Sequence, residues 1–223
     1  MEISAPRDLK IGKIIDKTLA VIERNAAPAL IYVIALTAVS VPVTWFAVGS
    51  LDPMRLLGGE LLKAALGIAC AYFLLVAALR RTGLSSGKGE EAFVPYIGLS
   101  ILTTLGVLLG TLAFVLPGLF LMARWSIAPP VLLSQGSGVM ASLGESWERT
   151  KGNEFSIIVA ALAMIVLPIA VVIAGGAFFE DGDLVGITVS QLASSAITVI
   201  TLSMGVALYG LIVGAGQEAR AFE

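Results

Sequence analysis

Five stretches of about twenty residues carry almost no charge, and this decides the solvent in which the chain folds. They are Ala26–Val48, Leu61–Leu79, Tyr96–Leu116, Phe155–Phe178 and Gln191–Val213, and the one charged residue among them is Lys63. A helix of about 20 apolar residues rises about 30 Å, the thickness of a bilayer's hydrocarbon core. A sixth stretch, Leu119–Leu133, is shorter and holds Arg124 and the pair Pro129–Pro130. Composition agrees. Of the 223 residues, 57% are hydrophobic and 13% charged, whereas a soluble domain carries about 25% charge. The expected fold is all-α: an integral membrane protein of one domain.

The charges between the stretches set the number of crossings. Arg7, Lys10, Lys13, Lys17 and Arg24 precede the first stretch. Arg80, Arg81 and Lys88 follow the second, and Arg149 and Lys151 lie before Phe155–Phe178. Glu180, Asp181 and Asp183 separate the last two stretches without a basic neighbour. Six crossings place every basic cluster on one face and the acidic loop on the other, with Arg55 beside Asp52 the exception. Five crossings would mix them. Basic residues stay on the cytoplasmic side. The expectation is therefore six transmembrane helices with both termini cytoplasmic, in the inner membrane. Pro117–Gly118 is then a tight external turn between the third and fourth spans. The first 25 residues are charged rather than apolar, unlike a cleavable signal.

Two further segments have helical periodicity without spanning length. In residues 8–25, Ile11, Ile14, Ile15, Thr18, Val21 and Ile22 share a face, and Lys10, Lys13, Lys17 and Arg24 lie away from it. Such a helix suits the membrane interface, with lysines toward anionic headgroups, or it packs on its own bundle. In residues 139–150, Val139, Met140, Leu143, Trp147 and Thr150 cluster opposite Glu145, Glu148 and Arg149. Trp147 suits an interface through its apolar body and polar N–H. Each helix ends in an asparagine, Asn25 or Asn153, and then a span. This is the pattern of a duplicated unit.

The chain has no histidine, which removes His-based acid–base chemistry and His-ligated metal. Cys70 is the one cysteine and has no internal disulfide partner. A net charge of -2 gives no basic field for nucleic acid. No Gly-rich phosphate loop occurs, since Gly58–Gly59 and Gly175–Gly176 lack a following Lys-Ser/Thr. The acidic loop reads as a solvated turn. No catalytic residue, metal or cofactor is expected.

Arg124 is the sharpest candidate, because a charge inside a span is costly and marks a site or a buried pair. From the six-span arrangement it sits about two turns below the external surface. It can pair with Asp181, Asp183 or Glu60, snorkel outward, hold a lipid phosphate, or meet a transported substrate. Glu60 and Lys63 are spaced for a boundary ion pair. Pro42, Pro129, Pro130 and Pro168 lie within spans as bends or hinges, and paired breaks would suit a transporter. Gly106–Gly110 and Gly210–Gly214 are spaced for close helix contact, within the chain or between chains. Residues 83–91 read as a solvated linker.

The stretch from Val115 to Asn153 carries a resemblance. It runs Val-Leu-Pro-Gly-Leu-Phe-Leu-Met-Ala-Arg-Trp-Ser-Ile-Ala-Pro-Pro-Val-Leu-Leu, then a glycine-containing break, then Ala-Ser-Leu-Gly-Glu-Ser-Trp-Glu-Arg-Thr-Lys-Gly-Asn. This resembles the YciC-like group of bacterial inner-membrane proteins, and is similar to the membrane domain fused to some glycerophosphoryl diester phosphodiesterases. Pro117, Gly118, Arg124, Pro129, Ser146, Trp147, Lys151, Gly152 and Asn153 match the pattern. The N-terminal Ile-Gly-Lys-Ile-Ile-Asp-Lys-Thr helix looks like the family's start. The chain departs at Ser134, where relatives commonly have an acidic residue. The resemblance implies a topology and no reaction, since the soluble phosphodiesterase domain is not in this sequence.

The function these features point to is non-enzymatic. The chain would interact with membrane lipids, or serve as an accessory or scaffold subunit with membrane-protein partners or a second copy. Arg124, Trp147, Lys151, Asn153, Lys10, Lys13 and Lys17 would make those contacts. The alternative is a small transporter built from two half-repeats.

Overall fold

The computed structural model describes residues 9–89, 91–180 and 182–214. These form nine α-helices and no strand: α1 Ile11–Arg24, α2 Ala26–Ala47, α3 Pro53–Arg81, α4 Phe93–Ala113, α5 Val115–Arg124, α6 Ala128–Gln135, α7 Val139–Arg149, α8 Glu154–Phe178 and α9 Leu184–Tyr209. A π-helical turn, Gly210–Gly214, extends α9. Arg7, Asp8 and Asp181 lie outside the described residues. Six segments are long and apolar enough to cross a membrane, namely α2, α3, α4, the α5–α6 unit Val115–Gln135, α8 to Ala174, and α9 with its extension to Val213. The chain is an all-α polytopic membrane protein.

Local chemistry sets the boundaries. Asp52 and Asp183 each accept a backbone N–H at a helix start, from Met54 at 3.0 Å and from Gly186 at 3.1 Å. A carboxylate there satisfies a donor the helix leaves orphaned and meets the positive end of its dipole. Asn25 lies between α1 and α2 and serves both. Its Nδ2 donates to the Val21 carbonyl at 2.8 Å, and its own carbonyl accepts the Ala29 N–H at 2.9 Å. Asn153 plays the second part for α8, accepting the Ile157 N–H at 3.0 Å.

The sixth stretch is not one helix. It breaks over Trp125–Ile127 into α5 and α6. Pro129 and Pro130 start α6 rather than bend a longer helix, because the first turn has no use for their missing donors. For the same reason the turn expected at Pro117–Gly118 falls instead at Phe114, whose backbone is extended, and Pro117 sits in the first turn of α5. Pro42 and Pro168 are inside α2 and α8, and both helices continue through them.

The hub is α9, which packs on α1, α2, α3, α6 and α8. Every residue from Ser203 to Tyr209 is buried, as expected of a helix enclosed on all sides. Gly205 allows the break in the sixth stretch to come close, since a Cβ there would lie 2.7 Å from the Ser126 carbonyl oxygen. The α1 strap crosses this end of the bundle. The Leu9 N–H donates to Asn153 Oδ1 at 2.8 Å beside α8, and Arg81 Nη1, at the end of α3, donates to the Arg24 carbonyl at 3.1 Å. Between these anchors Ile14, Thr18 and Val21 are buried, so α1 packs on its own bundle.

Residues 83–91, expected as a solvated linker, are docked where they are described. Gly89 touches the Leu132 and Leu133 carbonyls, and the Ser86 hydroxyl donates to the Ser134 carbonyl. Ser134 Oγ in turn donates to the Tyr209 hydroxyl. The end of α6 is thereby tied to α9 by hydroxyls.

Candidate functional site

The break after α5 leaves carbonyl groups without helical partners, and α7 supplies donors for one of them. Ser146 Oγ donates to the Arg124 carbonyl at 2.7 Å and Thr150 Oγ1 to the same oxygen at 3.2 Å. A helix end buried without such partners would be costly. The buried face of α7 is therefore Ser142, Leu143, Ser146 and Thr150. Met140, expected on that face, is 73% exposed. The apolar periodicity misplaces the face because the demand being met there is for hydroxyls.

These bonds also place the side chain of Arg124, a residue only 5% exposed overall. Its Cζ lies 4.5 Å from the Trp147 ring centroid and 5.5 Å from that of Phe120. The two rings meet edge to face at 5.7 Å. Nη1 is 3.1 Å from Glu154 Oε1, a charge pair off the line of a hydrogen bond, and Nε has no hydrogen-bond partner among the described residues. A buried guanidinium is tolerable here because a carboxylate and two aromatic faces replace its water.

None of the partners expected for Arg124 is the one found. Glu60 pairs with Lys63 at 2.6 Å, Asp183 caps α9, and Asp181 lies outside the described residues. Glu154 opens α8 directly after Lys151, Gly152 and Asn153, at the α1 end of the bundle. Arg124 is thus at the end opposite to the acidic loop, not two turns below it. The turn at Phe114 comes earlier than expected, and α5 is only 10 residues long. The signal available in the sequence was a lone carboxylate directly against an apolar run. Pro168 stands 14 residues along α8 from Glu154, about 21 Å away, so Arg124 and Pro168 do not share a site.

The remaining candidates separate. Trp147 belongs to the Arg124 cluster. Asn153 is buried and holds Leu9, while Lys151 is exposed. Gly106 and Gly110 serve contact within the chain, since Gly106 packs on the Trp125 ring and Gly110 on Gly118 and Leu121. Gly210 faces Leu84, and Gly214 ends the π-helical turn.

No family model and no solved structure matches the chain.

Along α1 the side chains form three strips at about 100° per residue. The buried strip is Ile14, Thr18 and Val21. On one flank Lys10, Lys13, Lys17 and Arg24 fall within an arc of about 60°, all of them exposed. On the other flank lie Ile11, Ile15, Leu19 and Ile22, with Leu19 47% exposed. The strap therefore has an apolar edge and a basic edge on either side of its packing face. At the far end Lys63 Nζ also reaches Thr44 Oγ1 at 3.3 Å, and Gln191 Nε2 meets the same hydroxyl at 3.5 Å.

Proposed function

We propose that this polytopic membrane protein binds anionic lipid headgroups along α1, without catalysis of its own. The observation that carries the reading is the exposed basic edge of α1 on one side of its packing face, with an apolar edge, exposed at Leu19, on the other. A helix anchored at both ends, with Leu19 and its neighbours toward acyl chains, holds Lys10, Lys13, Lys17 and Arg24 at headgroup height. Each basic residue near an anionic surface contributes about 1 kcal/mol. Asp16 and Glu23 lie on the remaining arc and offset part of this. In this reading the α1 face is cytoplasmic, the membrane is a bacterial inner membrane, and the chain is a relative of the YciC-like group. Arg124 is a structural residue rather than a lipid ligand, because Glu154, Trp147 and Phe120 already surround it.

The test is to purify the chain from vesicles of phosphatidylglycerol and phosphatidylcholine and weigh the retained lipids by mass spectrometry. With Lys10→Gln, Lys13→Gln and Lys17→Gln combined, retained phosphatidylglycerol is expected to fall several-fold while thermal unfolding stays unchanged. Unchanged retention refutes headgroup binding by α1. A stoichiometric protein that co-purifies from native membranes and is lost in the triple variant assigns the basic edge to a protein partner instead.

A further inference from the structure

We infer that α4 and α5 form a re-entrant hairpin, which enters and leaves the membrane on the α1 side and whose partner is the acyl-chain layer of that one leaflet. The inference does not depend on what α1 binds. Length and composition qualify both arms to cross. The points at which they are pinned limit how far they reach.

The first pin is the Arg124–Glu154 pair. Glu154 marks the membrane face, since Lys151 and Gly152 before it are exposed and Phe155–Phe178 after it carries no charge. From Arg124 back to the turn at Phe114 there are only the 10 residues of α5, a rise of about 15 Å, or half of an approximately 30 Å core. A crossing arm would have to bring Phe114 level with about Ala174, some 20 residues along α8.

The second pin is Gly106, whose missing Cβ lets the Trp125 ring lie against α4. Only Val107–Ala113 of α4 extends past that level, about 10 Å of helix. The third is at the other end of α4. Tyr72 meets Phe93 at 5.0 Å and Tyr96 at 5.5 Å between ring centroids. Tyr72 is nine residues before Arg81, and Gly106 follows Phe93 by about 20 Å of helix, so α4 runs obliquely across the bundle to keep Gly106 level with Trp125. All three pins lie in the half of the bundle nearest α1.

The tip has the chemistry of hydrocarbon, not of an aqueous loop. Leu112-Ala113-Phe114-Val115-Leu116-Pro117 has no polar side chain, and Phe114 and Leu116 are 76% and 78% exposed. The loops at the far end, by contrast, carry Ser50 and Asp52, or Glu180 and Asp183. A backbone turn in lipid is tolerable only if few amides are stranded. Here one residue is non-helical, its N–H donates to the Gly110 carbonyl at 3.0 Å, and Pro117 has no N–H to satisfy. A hairpin that enters and returns keeps the ends of α3 and α6 on one face, so α1 and α7 still share a side.

A spin label reads depth directly. In a Cys70→Ser background, single cysteines are introduced as Phe114→Cys, Leu116→Cys, Asp183→Cys and Lys13→Cys. Each is labelled, and the protein is reconstituted in vesicles. Labels at 114 and 116 are expected to show several-fold higher oxygen accessibility relative to a water-soluble nickel chelate than labels at 13 and 183. Nickel access at 114 and 116 matching that at 183 shows a crossing hairpin and overturns the inference. Nickel access matching that at 13, from that side only, shows a hairpin lying outside the hydrocarbon and overturns it equally.

Discussion

The two ends of the bundle are built differently. At the α1 end, the short helices α1 and α6 and a docked loop pack on the end of α9, and Ser134, Ser142, Ser146, Thr150, Asn25 and Asn153 are all buried there. At the far end α3 emerges with Pro53–Gly58 exposed, α9 begins with Leu184 and Val185 exposed, and the polar contacts include two helix caps and the Lys63 group. Lipid is as apolar as leucine, so helices in a membrane gain nothing simply by hiding leucine from it. They gain from close backbone approach and from satisfied polar groups. The α1 end has both, and the fold is specified there.

Glycine substitutions should separate the ends most sharply. Gly205→Ala forces a methyl group against the Ser126 carbonyl, and an overpacked core loses about 1–3 kcal/mol. Gly58→Ala has nothing within 4 Å, and alanine should stabilise that exposed turn by up to about 1 kcal/mol. Thermal unfolding in one detergent compares them, and shifts of equal sign would erase the distinction. Arg124→Leu comes next. It removes a desolvated cation from the Trp147 ring, a loss of about 2 kcal/mol, and leaves Glu154 without its partner. Adding Glu154→Leu should recover part of the loss, as replacing both members of such a pair often does. Lipid retention should not change. A selective loss of one lipid class in Arg124→Leu would instead make Arg124 a ligand. The smallest effect belongs to Lys63→Met. Glu60 is largely exposed, and pairs of that kind contribute below about 1 kcal/mol. A larger loss would show that the far end has a polar centre of its own.

The two asparagine-linked units refine the comparison. Both Asn25 and Asn153 are buried, and each accepts the fourth amide of the following helix. This common role is what the repeated helix–asparagine–span pattern signals. Their side chains diverge. Asn25 bonds back to its own helix, whereas Asn153 reaches 144 residues away to Leu9. A local pattern announces the backbone role, because that role is local. It is silent on the partner.

The same division runs through the whole protein. Apolar run length determined the long helices to within a few residues at most ends, and periodicity located α1 and α7, because both signals are repeated at every turn. The sequence also marked Arg124 as a charge needing compensation. Tertiary structure alone decided what compensates it. The turn at Phe114, the break at Trp125–Ile127 and the match of Gly205 to Ser126 together bring Arg124 to Glu154 and Trp147. Each of those rests on one to three residues whose meaning depends on what lies opposite. A helix in lipid can be read from its own composition, but a close contact is a property of two surfaces.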